Sequence, residues 1–236
     1  LEESHKVNIK MALLKPLTKK FFLIAIWCIA MAYLEAAVVV YLRMIFYPEG
    51  FQFPLKIMPI STIYIEYGRE FSTIVMLVVI GYLSGKTRIE RFFYFIFCFG
   101  IWDIFYYVWL KVFLNWPASI FQNDILFLIP IPWVGPVLAP IIVSLTMIIA
   151  SVSSLYLQDK GYTLKVEKEH LLLTILGCII ILISFFWNAY TVNLLEELNP
   201  GFQWGIFIIG EVMLITGLIL FLKKNKLRTM KFFIKQ

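Results

Sequence analysis

The chain is short of charge, of histidine and of paired cysteine, and each shortage removes a class of protein. Only 15% of its 236 residues are Asp, Glu, Lys or Arg, against roughly 25% in soluble domains. No polar segment is long enough to enclose a core of its own. Two histidines are present, His5 in the N-terminal lead and His170 at the edge of an apolar run; a bis-histidine haem or a histidine-rich metal centre inside a membrane is thereby excluded within this chain. Cys28, Cys98 and Cys178 stand singly in apolar runs with no CxxC pair, which argues against a zinc knuckle or a thiol redox site. Each reads as a small buried hydrophobe. There is no HExxH, GxGxxG or GxxxxGK[ST] segment for zinc proteolysis or nucleotide binding, and no N-x-S/T sequon. The NDILF segment holds one aspartate, not the repeated acidic motif that magnesium–diphosphate chemistry requires. No metal and no cofactor are expected.

What is present is apolar surface. Hydrophobic residues make up 61% of the chain and the mean hydropathy is +0.85. Six apolar stretches near 21–46, 64–84, 91–113, 136–157, 171–194 and 202–222 alternate with short charged loops. Each approaches the ~20 residues that a ~30 Å hydrocarbon core demands. The first is too long for a cleaved leader and ends in Tyr-Leu-Arg, not in a small-residue cleavage site. The expected fold class is therefore all-α: a compact bundle of six transmembrane helices, with 21–222 as one domain, 1–20 as a basic lead and 223–236 as a basic tail.

Basic residues orient the bundle. All but Arg43, Lys56, Arg69 and Lys111 lie in the lead, in the loops 84–91 and 158–170, or in the tail. Positive loops stay on the cytoplasmic side, so both termini are expected in the cytoplasm and the protein in the plasma (cytoplasmic) membrane. An even number of spans agrees with this. The formal net charge of +6 sits beside apolar segments, so its counterpart is anionic lipid on the cytoplasmic face, not nucleic acid.

The 114–135 segment breaks the pattern. Pro117, Pro130, Pro132 and Gly135 interrupt it, its apolar run is too short to cross, and Trp116 and Trp133 belong to the residue type found at membrane interfaces. A short interfacial helix is expected there, or else a lid or partly re-entrant hairpin over a cavity, since non-helical backbone at depth must be covered by protein or water.

The candidate site lies in the charges that remain inside the spans. Glu35, Asp103 and Glu211 sit deep in three of them, where a carboxylate costs about 2.5–3.5 kcal/mol. Glu66, Arg69 and Glu70 share one helix face by their spacing, and Arg69 between the two glutamates argues against a hard-cation site. Arg43 lies near the outer end of the first span and Asn188 in the outer half of the fifth. Tyr106 and Tyr107 flank Asp103, with Tyr107 one turn away and able to donate to it. Trp102 and Trp109 extend this aromatic layer, whereas Phe92, Phe93, Phe95, Phe97 and Phe99 read as packing. All the polar groups fall in the middle or outer half of the bundle, so one outward-facing pocket is expected. Glu35, Arg43, Glu66, Arg69, Glu70, Asp103, Tyr106, Tyr107, Asn188 and Glu211 are its ligand-binding candidates.

Three functions fit. The leading expectation is a binding or transport protein for a small cationic, zwitterionic or amphiphilic molecule. The second is an intramembrane enzyme acting on a lipid or isoprenoid, with Asp103 or Glu35 as acid or base. The third is an accessory or structural subunit whose polar face is met by a protein partner. No internal repeat of the kind common in transporters is evident.

Overall fold

The computed structural model describes residues 16–51, 53, 55–56, 58–191 and 201–234, with side chains described to residue 187 and again from 201 to 227. Six helices and one hairpin occur in the order α1 (Pro16–Phe46), α2 (Ile60–Ser84), α3 (Arg88–Leu114), β1 (Asn123–Phe127), β2 (Trp133–Pro136), α4 (Leu138–Asp159), α5 (Lys168–Thr191) and α6 (Trp204–Ile234). All but α2 are long and apolar enough to cross a bilayer. The protein is a multi-pass helical membrane protein. At 1.5 Å per residue, the 25 residues of α2 reach about 37 Å, long enough to span; its apolar run is broken by Glu66, Arg69 and Glu70.

Local chemistry sets the helix ends. Pro16 opens α1 at the position where a missing N–H costs least, five residues before the expected start. Thr87 caps α3 by accepting the Glu90 amide at 3.2 Å, and Glu90 reaches back to accept the Lys86 amide at 2.7 Å. Asn115 ends that helix in the left-handed region, at φ 50°. Helix α6 runs well past the expected end at residue 222. Lys224 pairs with Glu167 at 3.1 Å and with Glu169, and Asn225 accepts the Lys165 amide at 2.8 Å, so the tail has partners that prolong the helix.

α3 is the central element: α1, α2 and α4 all pack on it. α5 and α6 form a tight pair that joins the rest through α4 and β2. Close approach in that pair depends on small residues. A Cβ on Gly210 would fall 2.6 Å from Ile181 Cγ1 and 2.9 Å from the Gly177 carbonyl oxygen.

The 114–135 segment is not the interfacial helix but takes the form of the alternative, a hairpin. It is an antiparallel β-hairpin, with Asp124 opposite Gly135 and Phe127 opposite Trp133, and an irregularity between Ile125 and Phe127. The hairpin rests on α5: Trp133 stacks on Phe185 with ring centroids 6.3 Å apart, and Gly135 leaves room for the same ring at 3.0 Å. Prolines that block a helix are tolerated in its turn and at its end.

Candidate functional site

The charged end of α2 builds the site. Glu66, Arg69 and Glu70 project from one face because they are three and four residues apart. Arg69 donates twice to Glu66, at 2.9 and 2.6 Å, and forms an ion pair with Glu35 of α1. Glu70 stands 3.9 Å away. One guanidinium thus answers carboxylates from two helices, which its five donors in a planar fork make possible. The other oxygen of Glu35 accepts the Thr73 hydroxyl at 2.8 Å. Glu70 accepts the Leu128 amide with both oxygens, at 3.1 and 2.9 Å, and so ties α2 to the hairpin.

A second pair ties α1 to the hairpin. Arg43 Nη2 donates to Asp124 Oδ1 at 2.9 Å, and both residues are buried. The guanidinium lies over two nearly perpendicular rings, 3.8 Å from the Trp116 centroid and 4.3 Å from that of Phe51; such contacts partly replace lost hydration. Burial pushes the Asp124 carboxyl up to about 6, while the Arg43 charge, its own amide neighbour Ile125 and the Tyr107 hydroxyl pull the other way.

A cavity of about 120 Å³ lies against this cluster, lined by charged groups from α1, α2 and the hairpin together with Tyr106 and apolar residues of α1 and the 47–58 connection. The chain matches no family model, no curated protein and no solved structure.

The structure brings Glu35, Arg43, Glu66, Arg69, Glu70 and Tyr106 together, and does not bring all ten expected residues. Asp103 accepts the Ser144 hydroxyl of α4 at 2.8 Å. Glu211 accepts Thr146, also of α4, at 3.0 Å, and its other oxygen has no hydrogen-bond partner among the described residues. Ser144 and Thr146 are two apart, so they leave α4 on different sides, and the two deep carboxylates have separate partners. Tyr107, expected to donate to Asp103, faces Asp124 instead. The side chain of Asn188 lies outside the described residues. Asp124, Thr73, Ser144 and Thr146 were missed. The only hint for Asp124 was indirect: Arg43 needed a partner that its own helix could hardly supply.

Chemically, the arrangement neutralises charge. Each carboxylate of the cluster has a guanidinium, hydroxyl or backbone amide against it, and each arginine has a carboxylate.

Proposed function

We propose that the protein is an accessory or structural subunit of a membrane assembly, and that its buried ionic cluster is a lock that holds α1, α2 and the hairpin together. The observation that carries this reading is the pairing of charges just described, with Arg69 joined at once to Glu35 and Glu66. A transport site for a cation would leave carboxylates free to meet the cargo, and an acid–base enzyme would leave at least one facing a substrate-sized space. The cavity of about 120 Å³ is small beside the roughly 300–1,000 Å³ of sites that enclose drug-sized ligands. Breaking such pairs is costly because a lone buried charge remains, and this suits a part that must hold its shape inside a complex.

The alternating basic segments support a cytoplasmic location for both termini, with the six helices of 21–222 acting as one unit in the plasma membrane. Lipid-facing leucine, isoleucine, valine and phenylalanine cover the outside of the bundle.

Recovery of the full-length protein from its native membrane in mild detergent, followed by native mass spectrometry, tests the reading. A second polypeptide at fixed stoichiometry is the expected result. Saturable solute uptake, or turnover of a lipid, by the chain alone in proteoliposomes, lost on Asp103→Asn, would overturn it.

A further inference from the structure

The ion pairs of the cluster leave two polar atoms unused. With Arg43 Nη2 bound to Asp124 Oδ1, Arg43 Nη1 and Asp124 Oδ2 are buried without a hydrogen-bond partner among the described residues. Both residues line the cavity, and their exposures are 6% and 1%. A buried donor or acceptor left unmet costs about 1–3 kcal/mol, more when it is charged. The site therefore lacks a group that accepts once and donates once.

Charge selects among such groups. Arg43, Arg69 and Lys56 on the cavity wall are balanced by Glu66, Glu70 and Asp124, and Glu35 stands behind Arg69. A phosphate would meet at least as many anions as cations, and a protonated amine has no lone pair to accept from Arg43 Nη1. A hydroxyl meets neither penalty and supplies both missing contacts. The cavity also has an apolar side, formed in part by Val39, Leu42 and Met58. α1 and α2 each pack on α3, and among the described residues they are joined by the Arg69–Glu35 pair, the Thr73–Glu35 hydrogen bond and, at the other end, the Lys20 ammonium donating to the Ser84 carbonyl. Residues of both helices line the cavity, so a chain leaving it between them would reach lipid.

We propose that this cavity holds the hydroxyl-bearing head of an uncharged amphiphile, the hydroxyl accepting from Arg43 Nη1 and donating to Asp124 Oδ2 while the apolar chain leaves between α1 and α2. The volume of about 120 Å³ suits a headgroup with its tail outside. A glyceride alcohol and an isoprenoid alcohol share this chemistry. The site goes beyond the structural reading and does not depend on it.

The test uses the full-length protein in phosphatidylcholine nanodiscs that carry, in separate samples, dioleoylglycerol, geranylgeraniol, dioleoylphosphatidic acid or oleylamine, with retained lipid read by native mass spectrometry. One alcohol is expected per chain, held at least about tenfold better than the acid or the amine, a factor worth 1.4 kcal/mol. Which alcohol binds separates the glyceride from the isoprenoid source. Val39→Phe, which fills the apolar side, is expected to lower retention by a similar factor. A measurement on the unaltered protein guards against a variant that fails to fold: the methyl ether of dioleoylglycerol accepts but cannot donate, and its retention should fall likewise. Absence of both alcohols from the folded protein, leaving only water in the cavity, would overturn the proposal. So would equal retention of alcohol and ether, equal retention by a folded Val39→Phe protein, or preference for phosphatidic acid or oleylamine.

Discussion

Replacing Arg69 by methionine removes the cation that pairs with carboxylates of both α1 and α2. Methionine keeps the length and the apolar stem of the side chain, so lost packing contributes little. Arg69 makes two hydrogen bonds to Glu66 and an ion pair with Glu35. Hydrogen bonds to charged groups contribute about 1.5–3 kcal/mol each, yet the contributions do not simply add, because carboxylates deprived of a counter-charge can take up a proton instead of staying ionised. A loss of about 3–5 kcal/mol is the magnitude measured for one partner removed from a buried pair. For a chain of this size, 1 kcal/mol moves the midpoint by roughly 2–4 °C, so Arg69→Met should lower Tm by on the order of 10 °C. The deciding experiment is a double-mutant cycle with Glu35→Leu, read by reversible denaturant unfolding in mixed micelles. If Arg69 and Glu35 stabilise each other, the double variant should be no less stable than Arg69→Met alone, with a coupling of about 2 kcal/mol or more. Losses that add to within about 0.5 kcal/mol, as they do for independent sites, would refute the lock.

Gly210→Leu should force α5 and α6 apart, since even a Cβ there would meet Ile181 and the Gly177 carbonyl; a loss of about 1–3 kcal/mol is expected from overpacking, whereas Gly205→Ala, with open space around it, should be near neutral in the same unfolding assay. The raised carboxyl of Asp124, about 6 in the fold against its ordinary 3.8, makes the folded state bind more protons than the unfolded one between those values. Its contribution to stability should therefore fall as pH rises from about 4 to 6, and Asp124→Asn should abolish that part of the pH profile; an unchanged profile would refute the assignment. Single cysteines in a cysteine-free background should label from outside when placed in 195–201 and resist when placed in 158–170. The reverse pattern would invert the orientation.

The spans were legible because a bilayer imposes a length and a composition that a linear scan detects. The α2 triad was legible for a similar reason: Glu66, Arg69 and Glu70 are neighbours on any helix. The hairpin was legible only as an alternative to an interfacial helix. A short apolar run such as Ile125–Ile129 looks the same in a strand as in an interfacial helix, and pairing with Trp133–Pro136 depends on a turn built around Pro130 and Pro132. Partners across helices were also out of reach. Arg43 and Asp124 are 81 residues apart, and nothing along the chain favours Asp124 over other carboxylates except the burial that folding supplies. Tyr107 shows the opposite error: it is a turn from Asp103 in sequence, but its hydroxyl faces the hairpin. The assumption that a common depth means a common pocket failed for Glu211 because depth is one coordinate, and position around the bundle is another.

The charges of α2 have a consequence for how the protein is made. Helices α1, α3, α4, α5 and α6 each have a window apolar enough to leave the insertion machinery for lipid unaided. α2 emerges with three ionisable groups, each costly in hydrocarbon until it is answered. Glu35 of α1 is already synthesised when Arg69 appears, but the Leu128 amide that receives Glu70 lies 58 residues further on. We therefore expect α2 to linger beside the insertion machinery until the hairpin has been translated. Nascent chains stalled just after Gly85 should crosslink α2 to that machinery, and chains stalled within α4 should not. Equal crosslinking at both lengths would show that α2 reaches lipid without waiting for its partners.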